Sequence, residues 1–173
     1  KRFPLIIYQC AYNGMSYENV PLFEKLAKNG FIVASITSDG RYPGDMTTKP
    51  EDLMEQVYDG LFALHKLTAI SNIDSTKIGV IGYSWGGLAS LFMAMKDKNI
   101  KAILSLDGSE MFYYRDSDEE NNDFNQLRKS ANFHPENILA RYLYLESGHK
   151  QDEDKADSIY NPLKLLKREK KYI

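Results

Sequence analysis

The chain of 173 residues holds a single cysteine, Cys10, so an intrachain disulfide, a cysteine-based zinc site and a CxxC redox motif are all excluded. Neither sign of charge is in excess, because 22 Lys and Arg against 24 Asp and Glu give a formal net charge of −2. A dedicated nucleic-acid-binding protein normally carries a basic face, so this balance argues against that class. No apolar run approaches the roughly 18–20 residues of a membrane span.

The start of the chain lacks the charged region, apolar region and cleavage pattern of a signal peptide. The compartment stays open, because such a chain could also be a mature or trimmed form. The oligomeric state is open as well. With 43% apolar and 27% charged residues, the composition is that of an ordinary globular protein of one domain.

Short apolar runs alternate with stretches of helical periodicity along the whole chain. Strands are predicted at 5–8, 31–36, 78–81, 102–106 and 142–145, with the start of a last strand at 172–173. Helices are predicted at 17–29, 50–69, 88–95 and about 155–168. This alternation predicts an α/β protein of three layers, in which a mostly parallel sheet is covered by helices on both faces.

The sequence Gly82-Tyr83-Ser84-Trp85-Gly86 reads G-x-S-x-G, with a predicted strand before it and a predicted helix after it. This setting is typical of a nucleophile elbow, in which glycines allow a strained turn and a close approach of helix and strand. Ser84 is therefore the candidate nucleophile. An ordinary glycine-rich turn between strand and helix is the alternative, and a phosphate-binding loop is not supported because no Gly-Lys-Ser/Thr follows.

With this motif the sequence resembles the α/β-hydrolase superfamily, and within it the branch of dienelactone hydrolases, platelet-activating-factor acetylhydrolases and polyester hydrolases. The matching stretches are 4–8, 26–34, 77–87 and 102–108. The resemblance implies a single α/β-hydrolase domain over residues 1–173. By this match residue 4 begins the third strand of the full fold, so the first strands and the last-strand region are expected to be missing.

Residues 116–123 hold five acids and two asparagines. Such a stretch is typical of a solvated surface insertion. The alternative is a lid-like insertion over residues 110–135 that covers a site.

The resemblance also implies an oxyanion hole, which needs two backbone N–H groups directed at the developing negative charge. One donor comes from the residue after the nucleophile, here Trp85. The loop 9–14 supplies the other and places Tyr12 in the donor position, although Cys10 and Ala11 replace the usual His-Gly pair. Loop packing is the alternative role for Tyr12, and Cys10 is interpreted as a small buried residue because no elbow surrounds it.

Two strand ends offer the acid of a catalytic triad. Asp107 follows the strand 102–106 and is favoured, because the acetylhydrolase-like branch keeps its acid there. Asp152, with Asp154 nearby, follows the strand 142–145, where most α/β-hydrolases keep theirs. A turn formed by Asp107 and Gly108 is the structural alternative.

The triad histidine is expected after the last strand, and the chain contains only three histidines. His65 lies within a predicted helix before the serine, and His134 precedes a proline in a loop. His149 follows the strand 142–145, one strand too early. We therefore expect the catalytic histidine after Ile173, with His149 as the alternative.

Together these residues predict a serine hydrolase that cleaves small-molecule carboxylic esters through an acyl-enzyme on Ser84. No metal or organic cofactor is implied, and neither nucleic acid nor a membrane span is expected. Tyr83, Trp85 and residues 111–114 are candidates for a pocket lining, with plain packing as the alternative. Two other hypotheses stay open, namely a non-catalytic binding protein of this fold and an inactive fragment that lacks its histidine.

Overall fold

The structure, a computed structural model, describes residues 1–40, 46–111, 118–147 and 170–172. Six strands form one sheet in the order β2-β1-β3-β4-β5-β6, and every neighbouring pair is parallel. The strands are β1 (Phe3–Gln9), β2 (Ile32–Ile36), β3 (Ile73–Tyr83), β4 (Ile100–Leu106), β5 (Arg141–Leu145) and β6 (Lys170–Tyr172).

Four α-helices connect these strands in the described part of the chain. They are α1 (Val20–Lys28), α2 (Pro50–Thr68), α3 (Trp85–Lys96) and α4 (Asp118–Lys129). The first three confirm the predicted helices to within three residues at each end. Pro50 opens α2 with Glu51 and Asp52 in the first turn, where acids stabilise the positive end of a helix. The helix predicted at 155–168 lies outside the described residues.

The strand order decides on which face each helix lies, because a connection between parallel strands is almost always right-handed. From β1 to β2 the chain moves in one direction along the sheet, whereas the connections through α2, α3 and α4 move in the other. In agreement with this rule, α2 packs against α3 and α4. The main hydrophobic core includes residues of these three helices, while a smaller cluster around Tyr8 and Ile81 contacts Phe23 of α1. The predicted three-layer α/β architecture is confirmed.

Helix α3 is the central helix of the fold, since its residues from Trp85 to Met95 are all buried. It packs against β3 and β4, the two strands that precede and follow it. Because Ser84 lies directly before this helix, a buried helix fixes the position of the candidate nucleophile.

Helix α4 falls within the segment that the sequence analysis describes as an acidic, lid-like insertion. Its side chains Phe124 and Leu127 are buried in the main core, and the helix packs against α2. The exposed acids Asp118 and Glu119 lie at its start. Movement of the surrounding segment as a lid stays a prediction.

Strand β6 pairs with β5 at the edge of the sheet, and Tyr172 lies opposite Tyr144. This is where the sequence places the start of the last strand. No helix within the described ranges is both long enough and apolar enough to cross a membrane.

Candidate active site

Ser84 lies in the one-residue gap between β3 and α3, with φ 51° and ψ −118°. A positive φ is uncommon for any residue other than glycine and costs conformational energy. Backbone hydrogen bonds hold Ser84 in this state. Its N–H donates to the Leu106 carbonyl, and its own carbonyl accepts from the N–H groups of Gly87 and Ser109, each at 2.9 Å. The elbow is thus tied to the end of β4 as well as to its own helix.

Glycines surround Ser84 because there is no space for side chains. A Cβ atom on Gly82 would lie 2.0 Å from the Gly86 carbonyl oxygen, and one on Gly86 would lie 2.1 Å from the Gln9 carbonyl oxygen. Both neighbours are backbone atoms, which cannot swing away as a flexible side chain can. The predicted steric need for these glycines is confirmed.

Trp85 is buried at the start of α3, so its N–H belongs to the first turn, where amide groups point out of the helix. Its ring meets the Tyr12 ring edge to face, with 6.3 Å between the centroids. The two residues that the sequence analysis selects as oxyanion donors are therefore neighbours. Tyr83, at the end of β3, is exposed, and the pocket lining predicted at 112–114 lies outside the described residues.

The loop after β1 is held by one side chain of α2, Gln56, and by one of its own later residues, Glu18. The Cys10 carbonyl accepts a hydrogen bond from Gln56 Nε2 at 2.9 Å, and the Ala11 N–H donates to Glu18 Oε1 at 3.0 Å. The Ala11 carbonyl accepts from the Gly14 N–H at 2.8 Å. Among the hydrogen bonds of the described residues, none uses the Tyr12 N–H as donor.

Cys10 itself is buried, as predicted. Burial raises the pKa of its thiol to about 11, and Sγ donates to the Ile36 carbonyl at 3.1 Å. A protonated thiol is a poor nucleophile at neutral pH. Cys10 is therefore a buried packing residue of the loop, linked to β2 through the Ile36 carbonyl.

Asp107 lies next to Ser84, because the residues before them, Leu106 and Tyr83, are paired across β4 and β3. Its φ of 46° is positive, and its Oδ1 accepts a hydrogen bond from the Ser147 N–H at 2.5 Å. This bond connects the ends of β4 and β5. The role of Asp107 as triad acid stays a prediction, and the alternatives Asp152 and Asp154 lie outside the described residues.

The two described histidines lie at the opposite end of α3 from Ser84. His65 contacts Asp97, which follows the last residue of α3, with 3.3 Å between Nε2 and Oδ2. The His134 N–H approaches Met95 Sδ at 3.4 Å, and its ring contacts Glu136. A helix rises 1.5 Å per residue, so this end is about 15–18 Å from Ser84. His149 lies outside the described residues.

A buried carboxyl group lies behind the elbow. Glu110, in the short 3₁₀ turn Ser109–Met111, is fully buried and accepts a hydrogen bond from the Tyr142 hydroxyl. Burial raises the pKa of Glu110. A Cβ on Gly108 would lie 2.0 Å from Ser105 Oγ and 2.1 Å from Glu110 Oε2, so these two polar atoms converge at this glycine.

Three residues that contact the candidate site, Glu18, Gln56 and Glu110, are absent from the sequence prediction. The sequence does contain an indication for Gln56, because it is a polar residue on the apolar face of α2, three residues after the buried Leu53. Glu18 and Glu110 had none, since an acid in a loop is ordinarily exposed. Among the described residues, no cluster of three or more His, Cys, Asp and Glu side chains could hold a metal ion.

Residues 63–162, more than half of the chain, match the protein family described as "BAAT / Acyl-CoA thioester hydrolase C terminal". The matched range includes both Ser84 and Asp107. The uncharacterized protein YcjY of Escherichia coli strain K12 is 34% identical over 84 residues, which cover 46% of this chain and 26% of that protein. The match thus spans about a quarter of the length of this curated relative.

Solved structures share the fold. Est1E from Butyrivibrio proteoclasticus has a TM-score of 0.70 at 19% identity, over 99% of this chain and 77% of that chain. A ferulic acid esterase from Streptomyces cinnamoneus has a TM-score of 0.56 at 18% identity, over 84% of this chain and 51% of that chain. The sheet and its helices therefore have the α/β-hydrolase fold.

Proposed function

The chain belongs to the family of BAAT / acyl-CoA thioester hydrolase C-terminal domains, and from this premise we propose that it is a serine hydrolase of carboxylic esters. The single observation that carries the proposal is the backbone of Ser84. A serine at φ 51°, fixed between a buried strand and a buried helix, has a conformational cost that packing alone does not require. Such strain is typical of a nucleophile that must project from the end of a sheet.

In the first half of the reaction, Ser84 Oγ attacks the carbonyl carbon of the ester, and the carbonyl oxygen becomes negatively charged. The N–H groups of Trp85 and Tyr12 donate to this oxyanion, and the positive end of α3 favours the same charge. Loss of one such donor typically costs about 3–4 kcal/mol of transition-state stabilisation. The alcohol then leaves, and the acyl group stays on Ser84.

A histidine takes the proton from Ser84 Oγ and gives it to the leaving alcohol. In the second half, the same base activates water, which releases the acid and restores the serine. We assign the orienting carboxylate to Asp107, because it lies beside Ser84 at the end of the neighbouring strand. The base itself is the predicted histidine after Ile173, with His149 as the alternative.

The specific choice of oxygen esters goes beyond the family match, since the name of the family refers to a thioester hydrolase. A likeness to the ferulic acid esterase supports esters, as does the resemblance to the dienelactone hydrolase branch. The alternative function is that of a binding protein without catalysis. Such a protein would not need a strained backbone at Ser84.

The proposal is tested by labelling the full-length protein with a fluorophosphonate probe, with Ser84→Ala as the matched control. We expect covalent label on the peptide that contains Ser84, and none in the variant. Equal labelling of both proteins, or no labelling of the unaltered protein, would remove Ser84 as nucleophile. Circular dichroism of both proteins checks that the substitution leaves the fold intact.

The substrate class is tested separately by comparing kcat/KM for p-nitrophenyl acetate and for acetyl-CoA, which present the same acyl group on oxygen and on sulfur. We expect the oxygen ester to be preferred. A preference for acetyl-CoA would make the protein a thioester hydrolase and leave Ser84 as its nucleophile.

A further inference from the structure

One peptide bond of the loop after β1, between Cys10 and Ala11, is held at both of its polar ends by side chains. Its carbonyl oxygen accepts a hydrogen bond from Gln56 Nε2 of α2, at 2.9 Å. Its N–H group donates to the Glu18 carboxylate, at 3.0 Å. Because a peptide unit is planar, fixing its two ends also fixes the plane of the whole unit.

The next amide group along the chain is the N–H of Tyr12, the candidate second donor of the oxyanion hole. Two dihedral angles at Ala11 separate it from the clamped peptide. The Ala11 carbonyl, which belongs to the same peptide unit as the Tyr12 N–H, is itself fixed by the Gly14 N–H at 2.8 Å. The Tyr12 N–H is therefore oriented from both sides.

We propose that Gln56 and Glu18 are positioning residues, which clamp the Cys10–Ala11 peptide and thereby aim the Tyr12 N–H at the developing oxyanion. The inference rests on the proposed serine hydrolase function and adds the residues that prepare its oxyanion hole. Neither side chain touches the substrate. Each acts through the backbone of the loop.

The loop has no regular secondary structure that could set this orientation, so it depends on specific contacts, among them the hydrogen bond from the Tyr12 hydroxyl to the Met46 carbonyl at 2.8 Å. Residues 10–19 belong to no helix or strand, and Tyr12, Met15 and Tyr17 are all exposed. An exposed loop without regular structure samples many backbone conformations unless specific contacts select one. The clamp supplies such contacts from Gln56, on the buried face of α2, and from Glu18.

The loop also leaves space for Glu18. A Cβ on Gly14 would lie 2.3 Å from Glu18 Oε2 and 2.9 Å from the Ala11 nitrogen, so the carboxylate occupies the volume that any larger residue would fill. The Tyr8 hydroxyl donates to the other carboxylate oxygen, Oε1, at 2.9 Å. Glu18 is thus held by the hydroxyl of the buried Tyr8, and its carboxylate fits there because Gly14 has no side chain.

The first test replaces Gln56 by methionine, which has a similar length but no amide hydrogen to donate. Leu64→Ala is the control, because Leu64 is a fully buried residue of the same helix, eight residues further along, and packs in the main core. In Gln56→Met we expect kcat for p-nitrophenyl acetate to fall by about 10- to 100-fold, with KM little changed. Leu64→Ala should have a lower melting temperature and an unchanged kcat.

A second measurement distinguishes a misdirected Tyr12 N–H from a general loss of stability of the fold. An alkyl trifluoromethyl ketone forms a tetrahedral adduct with a reactive serine, and its affinity reports the oxyanion hole directly. We expect its affinity to fall by the same factor as kcat in Gln56→Met. Equal losses of kcat in Gln56→Met and Leu64→Ala, or an unchanged kcat in Gln56→Met, would overturn the clamp.

The other end of the clamp is tested by Glu18→Met and Glu18→Gln. Glutamine retains an oxygen that can accept from the Ala11 N–H, so it should restore most of the activity that methionine loses. If both variants lose kcat equally, or neither does, Glu18 has no positioning role. Failure of the proposed function gives a different result, because hydrolysis would then survive Ser84→Ala.

Discussion

The two halves of the candidate site are built by different physical means. On one side, Ser84 and the start of α3 are fixed by backbone hydrogen bonds to the end of β4 and by glycines of the segment 82–87 that leave no room for side chains. On the other side, the loop that carries Tyr12 is fixed by hydrogen bonds from side chains, one of which spans 46 positions of the chain. The elbow is rigid because other backbone conformations would produce steric clashes. The loop is rigid only while the side chains that hydrogen-bond to it remain.

This difference has a consequence for substitutions. A substitution in the elbow that does not fit disrupts the packing of the strand against the helix. Its effect should therefore appear first in the free energy of unfolding. A change in the partners of the loop should appear first in the rate of reaction. Substitutions at Asp107, Gly86, Glu110 and Ser84 challenge this distinction, and their expected effects decrease in that order.

The largest effect is expected from Asp107→Asn, which keeps an oxygen for the Ser147 N–H and tolerates the positive φ of 46°. If Asp107 orients the histidine, kcat should fall by about 10⁴-fold at unchanged stability. Asp152→Asn serves as the comparison and should matter much less. Should the two variants behave the other way round in steady-state kinetics, the acid belongs after β5.

Gly86→Ala should strongly damage the fold of the elbow, because the new Cβ would lie 2.1 Å from the Gln9 carbonyl oxygen. We expect a loss of about 3 kcal/mol or more in the free energy of unfolding, measured with urea. Gly30→Ala is the control, since Gly30 has φ 87° and a Cβ there would have no atom within 4 Å. The control should lose only the backbone penalty of about 1–2 kcal/mol. Similar losses in both would show that crowding is not what the glycines avoid.

Glu110→Gln tests the packing behind the elbow through its dependence on pH. The pKa of Glu110 is raised in the folded state above the ordinary value of 4.5, because burial disfavours the charged form. As pH rises from 4.5 towards the raised value, the unfolded chain ionises and the folded chain does not, so wild-type stability falls. The advantage of Glu110→Gln should therefore grow by about 1.4 kcal/mol per pH unit in that window.

Urea unfolding of Glu110→Gln and wild type at about pH 4 and about pH 8 measures this difference. Glutamine keeps the acceptor for the Tyr142 hydroxyl, so the two proteins should be alike at the lower pH. A stability difference that is the same at both values would mean that Glu110 ionises equally in the folded and unfolded states.

The smallest effect is expected from Ser84→Gly compared with Ser84→Ala. Glycine adopts a positive φ without strain, whereas alanine retains the strain. Ser84→Gly should therefore be more stable than Ser84→Ala by about 1 kcal/mol in thermal or urea unfolding. If alanine proves equally stable, the elbow stores no strain at this residue.

The same contrast explains what could be predicted from the sequence. The elbow is predictable because its strand, glycines, serine and helix follow one another in the sequence, so a single local pattern identifies it. The clamp on the Cys10–Ala11 peptide was not visible, because Gln56 is brought to it only by the packing of α2 on the sheet. Helix α4 was missed for a related reason, since Phe124 and Leu127 are its only apolar residues and the polar rest resembles an insertion.

The contact between Gly86 and the carbonyl oxygens of Gln9 and Cys10 has a mechanical consequence. It joins the first turn of α3 to the first residue of the loop, backbone against backbone, with no side chain between them. A displacement of the first turn of α3 towards β1 would therefore push directly on the loop, so we expect the amides of Trp85 and Tyr12 to be displaced together.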